Sequence, residues 1–115
     1  MTAYATFFGD QDHTFKLTLE LIRELESKRG AFGAICNRMF SRNFAQEDIA
    51  ETIRLALIGG GTAPRRAHEL IAAYVNDRPL IETYELAAKI LERTLFGTPN
   101  EKETTSELRH RHAHQ

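Results

Sequence analysis

The sequence predicts an α+β fold, mostly α, in which an N-terminal β-hairpin packs on a bundle of about five short helices. Three observations carry this. Residues 4–17 hold two short runs rich in aromatic and β-compatible residues on either side of a polar turn. From Thr18 to Phe96, apolar residues recur three and four positions apart. Glycine or proline then interrupts that stretch at Gly30, at Gly59–Gly61 and at Pro79.

The hairpin comes first. Tyr4-Ala5-Thr6-Phe7-Phe8 reads as one strand, Gly9-Asp10-Gln11-Asp12 as the turn, and His13-Thr14-Phe15-Lys16-Leu17 as the second strand. A two-stranded ribbon is marginal in water by itself, so one face must lie on the helices. Thr18 is placed to cap the first helix, Leu21, Ile22 and Leu25 form its apolar face, and Lys28-Arg29-Gly30 stops it. Ile35, Met39 and Phe40 define a short second helix, whose start Gly33 weakens. Asn43 and Gln46 resemble a capping box for a third helix. That helix is expected to bury Ile49, Ile53, Ala56 and Leu57, with Glu47, Asp48 and Glu51 outside. Gly59 falls past its end, where positive φ is easy for glycine. Pro64 suits the first turn of a fourth helix, with Ala67, Leu70, Ile71, Tyr74 and Val75 on one side. After Asn76-Asp77-Arg78-Pro79, a fifth helix is expected to bury Ile81, Tyr84, Ala88, Leu91 and Leu95.

With 115 residues, 42% hydrophobic and 27% charged, the chain suits one soluble domain. Residues 1–97 are expected to be globular and 98–115 a flexible polar tail, because the tail holds little to bury. A net charge of −1 and a pI of about 6.5 set up no global field for DNA or anionic lipid. No basic-then-apolar leader begins the chain, and no apolar run approaches the ~20 residues of a membrane helix. A cytoplasmic location is therefore expected. Cys36 lies in an apolar run and reads as a buried, inert thiol.

Several chemical readings fail on their residues. "GGGTAPRR" (59–66) lacks the lysine of a phosphate-binding loop and follows a helical segment rather than a strand. Asp10, Asp12 and His13 are better explained by a turn than by a calcium loop, which needs twelve residues ending in Glu. His110, His112 and His114 have no fixed scaffold for a metal, and His68 stands alone on a helix. Glu20, Glu24 and Lys28 have the spacing of ordinary helix-surface pairing. No nucleophile, base and orienting partner come together, so neither catalysis nor a cofactor is expected. The alternative functional reading is a helix-turn-helix-like DNA-binding regulator, with Arg65 and Arg66 opening the recognition helix. The near-neutral charge, Glu69 and the long linker weigh against it.

The order of parts carries a resemblance. A hairpin "YATFFGDQDHTFKLT" runs into "LELIRELESKRGAFGAI", then "EDIAETIRLALIGGG", then "RRAHELIAAYV". Leu21, Leu25 and Glu26, Leu55 to Gly60, and Glu69, Leu70 and Ile71 are the matching residues. Over roughly 4–96 the chain resembles the gene transfer agent family of small phage-type tail tube or tail assembly chaperone proteins. The resemblance implies a non-enzymatic role: binding a tape measure or tail tube protein during tail assembly. Phe7, Phe8, Phe32, Phe40 and Phe44 offer more aromatic surface than so small a core requires, and exposed members would suit partner binding or self-association. Phe7, Phe8, Phe40, Phe44, Arg65 and Arg66 are the candidate partner-binding residues, the two arginines facing an acidic protein partner.

Overall fold

The structure is a computed structural model that describes residues 3–97. The tail from 98 to 115, with His110, His112 and His114, lies outside the described residues. In chain order the elements are β1 (Tyr4–Phe8), β2 (Gln11–Phe15), α1 (Leu19–Arg29), α2 (Phe32–Phe40), α3 (Gln46–Gly59), α4 (Pro64–Tyr74) and α5 (Ile81–Phe96). The predicted class is the observed one: an antiparallel two-stranded hairpin followed by five helices.

The hairpin is tighter than expected. Phe8 pairs with Gln11, Thr6 with His13 and Tyr4 with Phe15, so the turn is only Gly9 and Asp10. Gly9 at φ 69° with no positive φ at Asp10 is the arrangement of a II′ turn, which continues the strand twist. Two residues suffice, so β2 starts at Gln11 instead of His13 and ends at Phe15. In a hairpin closed this way, the ladder bonds recur at alternate pairs. The backbone groups of Ala5 and Phe7 therefore point away from β2, and those of Asp12, Thr14 and Lys16 point away from β1. The Lys16 N–H fits this alternation, since it donates to the Ala56 carbonyl of α3 at 2.9 Å.

Helix α3 is the central element, packing against α1, α4, α5 and β2. Its inward positions Ile49, Ile53, Leu55, Ala56 and Leu57 are fully buried. They meet Phe15 and Leu17 of the hairpin arm, Leu25 of α1, Ile35 and Met39 of α2, Leu70 of α4, and Ile90 and Leu91 of α5 in one apolar core. Thr18 caps α1 as expected, its hydroxyl accepting from the Leu21 N–H at 3.3 Å. Pro64 opens α4, again as expected.

Two expectations about α3 are corrected. Its N-cap is Ala45 and not Asn43, and the residue three positions on that bonds back to the cap is Asp48 and not Gln46. At its other end, positive φ belongs to Gly61 (113°); Gly59 is still helical and Gly60 sits at −86°. The first two glycines serve a different purpose. The end of β2 crosses the C-terminus of α3 so closely that a Cβ on Gly59 would overlap the Lys16 carbonyl oxygen. A Cβ on Gly60 would overlap that of Thr14. Backbone meets backbone there, and no side chain can yield.

Helix α5 is also turned relative to expectation. Tyr84 and Leu91 are buried as predicted, but the rest of the buried face is Thr83, Ala87 and Ile90. Ile81 and Leu95 are exposed instead. On an ideal helix this is a rotation of roughly 80°. The helix is apolar over a wide arc, with Leu86, Ala87 and Ile90 on one flank and Ile81, Ala88 and Leu95 on the other. Packing against α3 and the bond from the Tyr84 hydroxyl to the Met39 carbonyl, 2.7 Å, select the former.

The glycine crossing has a measurable signature. Gly59→Ala or Gly60→Ala is expected to cost about 3 kcal/mol or more, since packed backbone must move apart. Gly61→Ala meets open space and only backbone strain, and is expected to cost about 1–2 kcal/mol. Urea unfolding of the three variants tests that order, and equal costs would rule out the close approach as the reason for the first two glycines.

Candidate functional site

The side chains able to meet a partner are held by two rigid supports, one at each end of α3. At its N-terminus, Asp48 is fully buried and carries four hydrogen bonds. Arg38 of α2 donates through Nε to Oδ2 (2.9 Å) and through Nη2 to Oδ1 (2.8 Å). Arg29 of α1 donates through Nε to Oδ1 at 2.9 Å, and the Ala45 N–H donates to Oδ2 at 2.9 Å. Arg38 also reaches the Arg29 carbonyl at 3.0 Å, completing the fork. Burial alone would raise the Asp48 pKa. The Arg38 pair, the Ala45 N–H and Arg29 outweigh it and hold the carboxyl well below the usual carboxylate range.

Sequence reasoning placed Asp48 on the solvent face and so missed this residue. A signal was available: Leu55, seven positions on, falls within about 20° of it on an ideal helix and is apolar. The consequence is positional. Asp48 ties α1 and α2 to α3 and thereby fixes where the C-terminal end of α2 presents Phe40.

Phe40 is 43% exposed, next to Met39, whose carbonyl receives the Tyr84 hydroxyl of α5. Ile81 is 65% exposed, and it lies in line with the half-buried Ala88 and the exposed Leu95 at successive seven-residue steps along α5. An apolar stripe thus runs down α5 with Phe40 beside its N-terminal end. Phe44 is half-buried, stacked on Tyr84 with ring centroids 5.0 Å apart, and Arg42 covers the same tyrosine at 5.5 Å. These contacts leave Phe44 as a support of the Phe40 region.

The hairpin divides its two phenylalanines. Phe8 is only 6% exposed and packs edge-on to Phe15, His13 and Tyr74, so the expectation that it is accessible to a partner is corrected. Phe7 points the other way and is 65% exposed. Phe32 is half-buried against the core. His13 is buried and hydrogen-bonded to Asp10 at 3.0 Å, which lowers the Asp10 pKa with added help from Arg66.

The two arginines of α4 are neither alike nor free. Arg66 pairs with Asp10 of the hairpin turn and with Glu69 at 3.5 Å. Arg65 is almost wholly exposed and touches Glu69 at 3.7 Å. Both positive charges at this helix start have carboxylate neighbours, which gives the helix-turn-helix alternative no support. Burial pushes the Cys36 thiol up to about 11, consistent with an inert core cysteine. No group of three His, Cys, Asp or Glu side chains among the described residues could hold a metal ion. No helix among them is long and apolar enough to cross a membrane.

Residues 2–97 match the family described as phage tail tube protein, GTA-gp10. The match spans most of the chain, and the protein belongs to this family of phage-type, gene-transfer-agent tail proteins. Neither a curated protein nor a solved structure matches it.

Asp48 lends itself to a pH test. Its folded-state pKa is depressed, so its stabilisation is complete above the unfolded value of about 3.9 and is lost as pH falls towards the folded value. Asp48→Asn is expected to cost about 3 kcal/mol at pH 7, by leaving two arginines without their carboxylate. Wild-type stability is expected to fall below about pH 4, with the gap to the variant narrowing. Urea midpoints across pH 2.5–7 check this, and parallel profiles would contradict it.

Proposed function

We propose that this protein is a non-enzymatic tail assembly factor. It binds an amphipathic helix of a phage-like tail component, tape measure or tail tube protein, on the apolar stripe beside Phe40. The carrying observation is that Ile81, Ala88 and Leu95 recur every seven residues along α5 while their outer surfaces remain open. A second helix laid along such a stripe interdigitates at the same spacing. Membership of a tail protein family supplies the class of partner. Until enclosed in the particle, such a partner exposes apolar surface, and covering it would keep it soluble. Residues 1–97 act as one unit in this reading, in the host cytoplasm where tails assemble. Arg65, the most exposed cation of α4, offers a secondary contact to an acidic partner.

Co-expression with the neighbouring tail genes tests the proposal. Either the tape measure or the tube protein is expected to gain solubility and to co-purify. Ile81→Ser combined with Phe40→Ser is expected to lower that capture at least tenfold without changing the circular dichroism spectrum. If the wild-type protein retains neither component, the proposal fails.

A further inference from the structure

The edge of β1 raises a separate question. In a two-stranded sheet both strands are edges, and the two are treated differently here. The outer edge of β2 is covered by α3, through the Lys16–Ala56 hydrogen bond and the crossing at Gly59 and Gly60. β1 makes no backbone hydrogen bond beyond its pairing with β2 among the described residues. It also carries no residue that blunts an edge: from Tyr4 to Phe8 it has no charge, no proline and no glycine. Beside it, bounded on the far side by α5, runs an open groove of about 530 Å³.

We infer that β1 pairs edge to edge with β1 of a second copy of this chain, in antiparallel register about Thr6, giving a continuous four-stranded sheet. The register follows from full overlap. Centring on Thr6 is the one alignment that sets all five residues of each strand opposite a residue of the other. Ala5 and Phe7, whose backbone groups point outward, then form the hydrogen-bonded pairs, and Thr6 faces Thr6 of the copy in a closer, non-hydrogen-bonded pair. On the outer face, each exposed Phe7 ring lies across from Ala5 of the copy and diagonal to its Phe7, within aromatic reach. The exposure of Phe7, unexplained in the isolated chain, follows directly.

Charge complementarity points to a second copy as the occupant. On the α5 wall of the groove Glu82 is already paired with Arg78 and Lys89 with Glu92, while Glu85 has no ion pair among the described residues. A two-fold axis reverses the second α5, which sets the unpaired Glu85 of each wall towards Lys89 of the other. Isologous contacts of this kind close on themselves and yield a dimer rather than a fibre.

The full chain tests this by sedimentation velocity from 5 to 200 µM. A monomer–dimer equilibrium is expected. Ala5→Pro removes one outward N–H without touching the ladder to β2, and is expected to weaken dimerisation at least tenfold. Phe7→Lys places like charges diagonally across the junction and is expected to do the same; it keeps the test decisive should the proline variant misfold. Thr6→Cys is expected to form a disulfide-linked dimer under mild oxidation, whereas Phe40→Cys, exposed on α2 and outside the paired strands, is not. A wild-type monomer throughout the range overturns the inference, including one whose β1 edge pairs instead with another tail protein. So does a dimer unaffected by Phe7→Lys or Ala5→Pro, or one that Thr6→Cys fails to trap.

Discussion

The structure depends on a buried carboxylate. Asp48 is the one fully buried acidic side chain among the described residues. It satisfies an orphan N–H at the start of α3 while binding an arginine from each of the two preceding helices. An uncompensated charge in that position would be costly, so α1 and α2 can pack on α3 only in the arrangement that delivers both guanidinium groups. A purely apolar contact would tolerate sliding; a four-bond carboxylate does not. This converts three short helices, each marginal by itself, into one platform.

The other end of α3 is fixed by the opposite means. There the side chains are removed instead of paired, and Gly59 and Gly60 let the chain leaving β2 lie directly on the helix terminus. The hairpin thereby commits β2 to the interior and leaves β1 outside. A device that looks like a nucleotide loop in the sequence is a packing joint, and its functional consequence appears some distance away, at the free edge of the hairpin.

The interaction surfaces follow from how these two joints orient α5. That helix has more apolar residues than one face can bury, so the choice of buried face is also a choice of exposed stripe. With Thr83, Ala87 and Ile90 turned inward, Ile81 and Leu95 are left on the surface. In the function proposed above, these exposed residues are the contacts that a tail component covers.

Much of this was determined by the sequence alone. The hairpin, the five helices, the Thr18 cap, the Pro64 start and the family all depend on local signals: turn chemistry, capping and apolar spacing within a single element. The candidate site was less legible. Of the aromatic candidates, Phe7 and Phe40 are exposed, Phe44 is half-buried and Phe8 is in the core, a division that no local pattern encodes. The role of Asp48 required knowing that Arg29 and Arg38, 19 and 10 residues away, arrive at the same point. The rotation of α5 and the need for Gly59 and Gly60 likewise arise between elements. Tertiary structure decided these because burial is a competition among faces. Periodicity states which residues can be buried together, and only the neighbouring elements determine which of them are.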